Sequence, residues 1–285
     1  MNKLLQINPK KEIEKICDFI KSTFKKQRFS KVVLGLSGGI DSAVVLSLLA
    51  QALPPQYIFP IHLPYFKTDI KILKILIKSL KIPASNFSTI NIKKPVDKIV
   101  SICHPELLSS FRFDEGRYKL KRKISPESDS VGMTNKTRLG NIMARTRMII
   151  LFDQAKKLNA LVCGTENKSE HLLGYFTRFG DEASDIEPIQ HLYKTQIYQL
   201  GKYLNIPQEI INQSPTAGLW DGQTDEGQFG FTYQEADQVL SLYSDQKKSL
   251  PTIIKLGFPK TKKIISMVKN NQFKHQTPYF MSQLL

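Results

Sequence analysis

The sequence predicts an α/β protein built on a parallel sheet wrapped by helices, on three observations. An apolar run, a glycine-rich turn and a second apolar run of helical length follow one another from Lys31 to Ala50, KVVLGLSGGIDSAVVLSLLA. Downstream, strand-length apolar runs alternate with amphipathic stretches, the order expected when helices cross over between parallel strands. With 285 residues and 41% hydrophobic content, the chain can bury a full core as one large domain, residues 1–285.

Taken in order, Asn8 and Pro9 make an N-cap and first helical position. Ile13, Ile16, Cys17, Ile20 and Phe24 then recur at helical spacing to about Lys26. Val32, Val33 and Leu34 are β-formers with no polar alternation, as in a strand buried on both faces. Ser37, Gly38 and Gly39 let the backbone turn with its N–H groups inward, and a helix starting at Ile40 or Asp41 aims its positive dipole end at the same point. Such a turn holds phosphate.

The turn lacks the GxxxxGK[ST] spacing of a Walker loop and carries Asp41 where that loop has its lysine chemistry. An acid at a phosphate cradle makes sense when a divalent cation bridges the two. Asp41 is therefore a candidate Mg²⁺ ligand, with Ser37 and Ser42 as hydroxyl donors. The plainer alternative is a tight turn whose aspartate caps the helix. SGGIDS at 37–42 resembles the pyrophosphate loop of the ATP pyrophosphatases, which cleave ATP to AMP and pyrophosphate.

Pro54 and Pro55 stop the helix, and Tyr57 to Leu63 reads as a second strand. Thr68 to Leu80 is an amphipathic helix, and a short third strand follows near Phe87 to Ile92. From His104 to Thr134 the pattern fails, and 104–134 is expected to be a mobile lid or disordered. Its Phe111, Phe113 and Tyr118 could dock on a nucleotide or serve only as anchors. Lys136 to Leu158 is a long helix carrying Arg145 and Arg147, residues suited to phosphate or carboxylate but more often found on plain surface.

Ala160 to Gly164 is a further buried strand running into Thr165, Glu166, Asn167, Lys168, Ser169 and Glu170. Ligands of open parallel sheets bind beyond the carboxyl ends of the strands, so these polar residues belong beside the glycine turn. Ser214 to Gly230 is rich in glycine and acids and reads as a second mobile loop, while 233–243 and 261–270 read as closing structural helices.

The net charge is +16, with 41 Lys and Arg against 25 Asp and Glu. A nucleic-acid partner would use such a balance, but only Lys119 to Lys123 forms a dense run, and Lys71, Lys74, Lys78 and Lys81 look like one solvated helix face. Cys17, Cys103 and Cys163 are scattered without zinc spacing and read as small buried hydrophobes. No apolar stretch suits a membrane span or signal peptide, which places the chain in the cytoplasm.

GTENKSE at 164–170, GYFTRFGDEASDIEPI at 174–189, Lys194, SPTAGLWDGQTDE at 214–226 and GNIMARTRM at 140–148 together resemble the NAD synthetases. That resemblance implies a doubly wound sheet of the adenine-nucleotide hydrolase type, a homodimer with the substrate site at its interface, and no nucleic-acid or membrane partner. It implies amidation of deamido-NAD by ammonia, with ATP as co-substrate and Mg²⁺ as cofactor. By the same resemblance, Gly35, Leu36, Ser37, Gly38, Gly39, Ile40, Asp41 and Ser42 hold the ATP phosphates, together with Thr165, Lys194 and Thr216. Asp41 and Glu170 bind Mg²⁺; Arg145, Arg178, Asp185, Phe273 and Lys274 contact the dinucleotide; Lys194 and Asp41 stabilise charge in the transition state, with no covalent nucleophile.

Three departures mark this chain. Many bacterial members have Asp-His-Ala-Ala after the threonine where Glu166, Asn167, Lys168 and Ser169 stand here; Arg178 replaces a lysine; and Phe273, Lys274 and His275 replace a His-Lys-Arg triplet. There is no stretch for an added amidase domain, so free ammonia is the expected nitrogen donor. The rival enzyme reading is another ATP pyrophosphatase, a tRNA-modifying adenylase or a GMP synthetase core. A non-catalytic nucleotide- or RNA-binding protein is the rival from a different class.

Overall fold

The computed structural model describes residues 5–103, 111–114, 117–120, 129–216, 218, 222–276, 278, 279 and 281, with side chains outside 111–134. Helix α1 (Pro9–Gln27) starts at Asn8, whose side chain accepts from the Lys11 N–H, and it buries the five apolar residues its spacing selects. Strand β1 (Lys31–Gly35) follows, then α2 (Ile40–Ala52), β2 (Ile58–His62), α3 (Lys71–Ser79), β3 (Ser88–Thr89) and α4 (Lys93–Cys103). The remaining strands are β4 (Phe111–Asp114), β5 (Arg117–Leu120) and β6 (Ala160–Cys163), with helix α5 (Asp129–Leu158) before β6.

Strands β3, β2, β1 and β6 form one parallel sheet in that order. Val33 pairs with Phe59 on one side and Val162 on the other. Helices α1, α2 and α3 pack on one core with Leu34 and Leu161, whereas α4 and α5 pack on another with Val33 and Val162. Because successive β-strand side chains point to opposite faces, Val33 and Leu34 reach different layers. The expected double winding is therefore present. The chain leaves β1 toward β2 and later returns to β6 on its other side, so the crevice at the carboxyl ends of β1 and β6 is a topological switch point.

Several elements differ from the sequence reading. Helix α3 begins at Lys71 because the Asp69 carboxylate accepts from the Lys71 N–H, and β3 ends early because the Asn91 side chain accepts from Lys93 N and turns the chain into α4. Within 104–134, read as one unpatterned lid, β4 and β5 form an antiparallel hairpin with Phe113 opposite Tyr118, and α5 begins at Asp129 rather than Lys136. The remainder of that stretch, and the side chains of Phe111, Phe113 and Tyr118, lie outside the described residues. Within 214–230, Thr224 caps a short helix, α9 (Asp225–Phe229), because its side chain accepts from the Gly227 N–H. Phe229 is buried edge-on against Tyr175, 4.5 Å between ring centroids, so this part of the expected mobile loop is core.

Helices α6 (Lys168–Leu173), α9, α10 (Tyr233–Leu240), α11 (Leu250–Lys255) and α12 (Thr261–Asn271) share a further apolar core, whereas α7 (Lys194–Tyr203) and α8 (Gln208–Ile211) bury Ile197, Leu200, Ile210 and Ile211 in the core of α1 and α2. Cys17 and Cys163 are buried as expected, but Cys103 is exposed. The lysines of α3 are exposed, as a solvated face. Among the described residues no helix is long and apolar enough to cross a membrane.

Candidate active site

The glycine turn lies where the fold predicts. Gly38 has φ +97°, in the left-handed region that favours glycine, and Gly39 starts α2 without a side-chain cap. The Ser37 hydroxyl pairs with that of Ser42 at 3.1 Å and accepts from the Gly39 N–H at 3.2 Å, which holds the turn closed. Gly39, Ile40 and Asp41 at the start of α2 line the crevice, and a helix N-terminus is an anion-binding arrangement.

Lys194, the first residue of α7, reaches this turn from the opposite wall. Its ammonium lies 2.5 Å from Asp41 Oδ2 and 3.2 Å from Glu170 Oε1, and its side chain is only 4% exposed. The Asn167 side-chain amide donates to Asp41 Oδ1 at 3.0 Å, while Asn167 also caps α6 and so fixes Glu170 one turn away. Burial alone would lower the Lys194 pKa, but Asp41 and Glu170 outweigh it and raise it. Burial pushes the Glu170 carboxyl up; Lys194 opposes this, and the negative charges of Asp41 and Asp225 reinforce it. The crevice thus holds a desolvated cation between acids.

Asp225, which sequence reasoning left inside a loop, belongs to the same cluster. It is 3% exposed and accepts from the hydroxyls of Tyr175 at 3.2 Å and Tyr233 at 3.0 Å. Thr224 followed by two acids is a helix-start signal that could have marked it. The Lys194 ammonium also lies over the Tyr233 ring, 5.2 Å from its centroid.

Asp41, Glu170, Tyr175, Lys194 and Asp225 line one cavity of about 560 Å³, a volume in the range of small-molecule sites. Of the expected nucleotide residues, Gly35, Leu36, Ser37, Gly39, Ile40, Asp41, Thr165, Lys194 and Thr216 line it, with Glu170. Gly38 and Ser42 are outside the lining, and the Ser42 hydroxyl pairs with that of Ser37. Of Arg145 and Arg147 on α5, it is Arg147 that lines the cavity, with Nε donating to Leu63 O, and burial lowers its pKa against the pull of Asp181.

The expected dinucleotide residues divide. Lys274 lines the cavity and donates to Gly174 O at 2.6 Å and Phe176 O at 3.0 Å; burial lowers its pKa. Arg145 is exposed, outside the cavity lining, and donates to Arg178 O at 3.2 Å; the Arg178 guanidinium in turn stacks 5.1 Å over the Phe273 ring. Asp185 is also outside the lining, and its Oδ2 accepts from Val162 N at 2.7 Å, tying the 181–187 segment to β6. At the end of that strand, the Glu187 carboxyl packs against Gly164 so closely that a Cβ there would lie 1.7 Å from Oε1 and would displace that carboxyl.

A parallel, doubly wound sheet with a lysine-free glycine turn, an acid in that turn and a facing lysine defines the ATP pyrophosphatase class. Within it, a sequence model of the NAD synthase family matches residues 12–278, and the chain belongs to that family. It is 40% identical over 283 residues to an NH3-dependent NAD(+) synthetase of Fusobacterium nucleatum, covering 98% of this chain and 97% of that one. A Thermococcus kodakarensis relative of the same name is 35% identical over 270 residues, covering 93% and 94%. Among solved structures, an NMN synthetase from Francisella tularensis matches with TM-score 0.73 at 30% identity, covering 96% and 99%. An NH3-dependent NAD synthetase from Campylobacter jejuni, in complex with nitrate, matches with TM-score 0.70 at 30% identity, covering 96% and 100%.

Proposed function

We propose that this chain is an ammonia-dependent NAD synthetase, which amidates deamido-NAD at the expense of ATP. One observation carries the reading to the site: Lys194 held between Asp41 and Glu170 at the glycine turn. In the first step a carboxylate oxygen of deamido-NAD attacks the α-phosphorus of ATP, and the bond to pyrophosphate breaks. In the second, the ammonia nitrogen attacks the carboxyl carbon, AMP leaves with its electron pair, and the nitrogen loses a proton. Adenylation supplies the leaving group that a carboxylate lacks.

The protein's part is positioning and charge neutralisation, which asks for donors and cations and no nucleophile. The N–H groups from Gly38 onward, with Thr165 and Thr216, are assigned to the ATP phosphates, and Lys194 to the charge that passes to pyrophosphate. Asp41 and Glu170 suit Mg²⁺ as two carboxylates beside a phosphate site, since Mg²⁺ takes few protein ligands and completes its shell with phosphate and water. Bound there, Mg²⁺ would neutralise the phosphates. Arg145, Arg178, Asp185, Phe273 and Lys274 are assigned to the dinucleotide. The exposure of Arg145 and Asp185 outside the cavity fits a substrate completed by a second copy of the chain in a homodimer. The reaction is assigned to the cytoplasm.

The test is mass-spectrometric product analysis with ATP, Mg²⁺, deamido-NAD and either ammonium or glutamine. NAD, AMP and pyrophosphate are expected with ammonium and not with glutamine. Because one structural relative is named an NMN synthetase, nicotinate mononucleotide should be run beside deamido-NAD; NMN as the preferred product would replace the dinucleotide assignment. No amidation of either acceptor by a protein that binds ATP would overturn the reading in favour of another ATP pyrophosphatase.

A further inference from the structure

Asp237 lies on α10, away from the cavity lining, and is fully buried. A buried carboxylate is costly unless it is well supplied with donors. Asp237 has them on both oxygens: Oδ1 accepts from the Ser169 hydroxyl at 2.5 Å, and Oδ2 accepts from the Thr195 N–H at 2.8 Å. The Ser169 oxygen in turn accepts from the Lys194 N–H at 2.8 Å. One acid therefore satisfies, directly and through one hydroxyl, two of the first N–H groups of α7, and sets negative charge at that helix's N-terminus.

The two residues held this way are instructive. Lys194 supplies the ammonium between Asp41 and Glu170, and Ser169 immediately precedes Glu170 on α6. Three helices meet at this carboxylate, and two of them carry the charged groups of the site. Both of its oxygens act as acceptors, which an asparagine amide cannot reproduce, because one of its two atoms is a donor. The chemistry of the position thus calls for a carboxylate.

We propose that Asp237 is a positioning residue for the ATP-dependent step, fixing the start of α7 and the Ser169–Glu170 turn so that Lys194 and Glu170 face Asp41. The proposal rests on the reading of the site as an ATP pyrophosphatase centre, and it asks more of that site. Fixing charged groups in advance is worth rate because a displacement of about an ångström in such a centre can cost about a hundred-fold.

The experiment compares Asp237→Asn in the full-length protein and in a Lys194→Met background, reading Mg·ATP affinity by calorimetry, pyrophosphate release per folded molecule, and melting temperature. With Lys194 present, Asp237→Asn is expected to weaken ATP binding or pyrophosphate release by about ten- to a hundred-fold. In the Lys194→Met background it should lower the melting temperature by the same amount and change ATP affinity much less, since the group it positions is gone. A variant that loses melting temperature but keeps wild-type affinity and rate would overturn the proposal, as would equal losses of affinity in both backgrounds. Should Asp237→Asn not fold, Ser169→Ala removes the hydroxyl link alone and must show the same dependence on Lys194. Wild-type turnover, measured alongside, separates failure of this proposal from failure of the activity assignment.

Discussion

The Lys194 ammonium meets the Asp41 carboxylate at 2.5 Å across 153 residues of sequence, and Glu170 approaches the same nitrogen at 3.2 Å. Replacing Lys194 with Met leaves two acids facing each other without a counter-charge. Pyrophosphate release is expected to fall by at least about a hundred-fold, the scale for removing one preorganised group that stabilises developing charge. Lys194→Arg should recover little, because a planar guanidinium does not fit where a compact ammonium is buried. Single-turnover release of pyrophosphate measures both.

Asp41→Asn keeps the shape of the turn and the contact with the Asn167 amide through one oxygen, but removes the charge. If Asp41 holds Mg²⁺, the variant should bind ATP without Mg²⁺ about as well as the parent and lose the increment that Mg²⁺ gives. Calorimetric titration with and without the ion shows which occurs. An unchanged Mg²⁺ increment would remove Asp41 from the metal.

Lys274 donates two hydrogen bonds to carbonyls beside the cavity, at Gly174 and Phe176. Lys274→Ala should raise KM for deamido-NAD by about ten-fold, equivalent to about 1.4 kcal/mol of lost charge-assisted contact, with KM for ATP nearly unchanged. Equal rises in both constants would mean that the residue supports the fold of the cavity wall instead of the acceptor.

Burial pushes the Glu187 carboxyl up to about 8, against the hydrogen bond from the Ser184 hydroxyl, with Glu166 adding to the rise and the Glu166 N–H opposing it. The folded state therefore holds a proton that the unfolded chain releases near 4.5, its ordinary value. Between those two values folding binds protons, so this group's contribution to stability is largest at low pH and declines as pH rises toward 8. Glu187→Gln should flatten that part of the melting-temperature profile between pH 5 and 8, a window set by the carboxyl's shift from 4.5 to about 8. A profile as steep as the parent's would assign the slope to other groups.

Local chemistry made much of this protein legible. The apolar spacing of α1, the unbroken β-formers of β1 and the glycine turn are local patterns, and periodicity reports directly which face of an element is buried. The parallel sheet followed from alternation, and the turn with its aspartate marked one half of the site. Asp41, Thr165 and Glu170 were readable because they follow the carboxyl ends of β1 and β6, where this fold class binds ligands.

What the sequence could not reveal is where side chains distant in the chain converge. That Lys194 is buried against Asp41, that Arg147 and not Arg145 turns into the cavity, and that Asp225 is clasped by Tyr175 and Tyr233 are decided by how α7, α5 and α9 pack on the sheet. A helix rotates successive residues by about 100°, so neighbouring arginines face different directions and only the packed orientation selects between them. Asp237 belongs with these: its sequence neighbourhood reads as one turn of a structural helix, and its three-helix hydrogen-bond junction exists only after tertiary folding. The sequence determined the elements and the chemistry available at the end of each strand; packing decided which charges share one desolvated crevice.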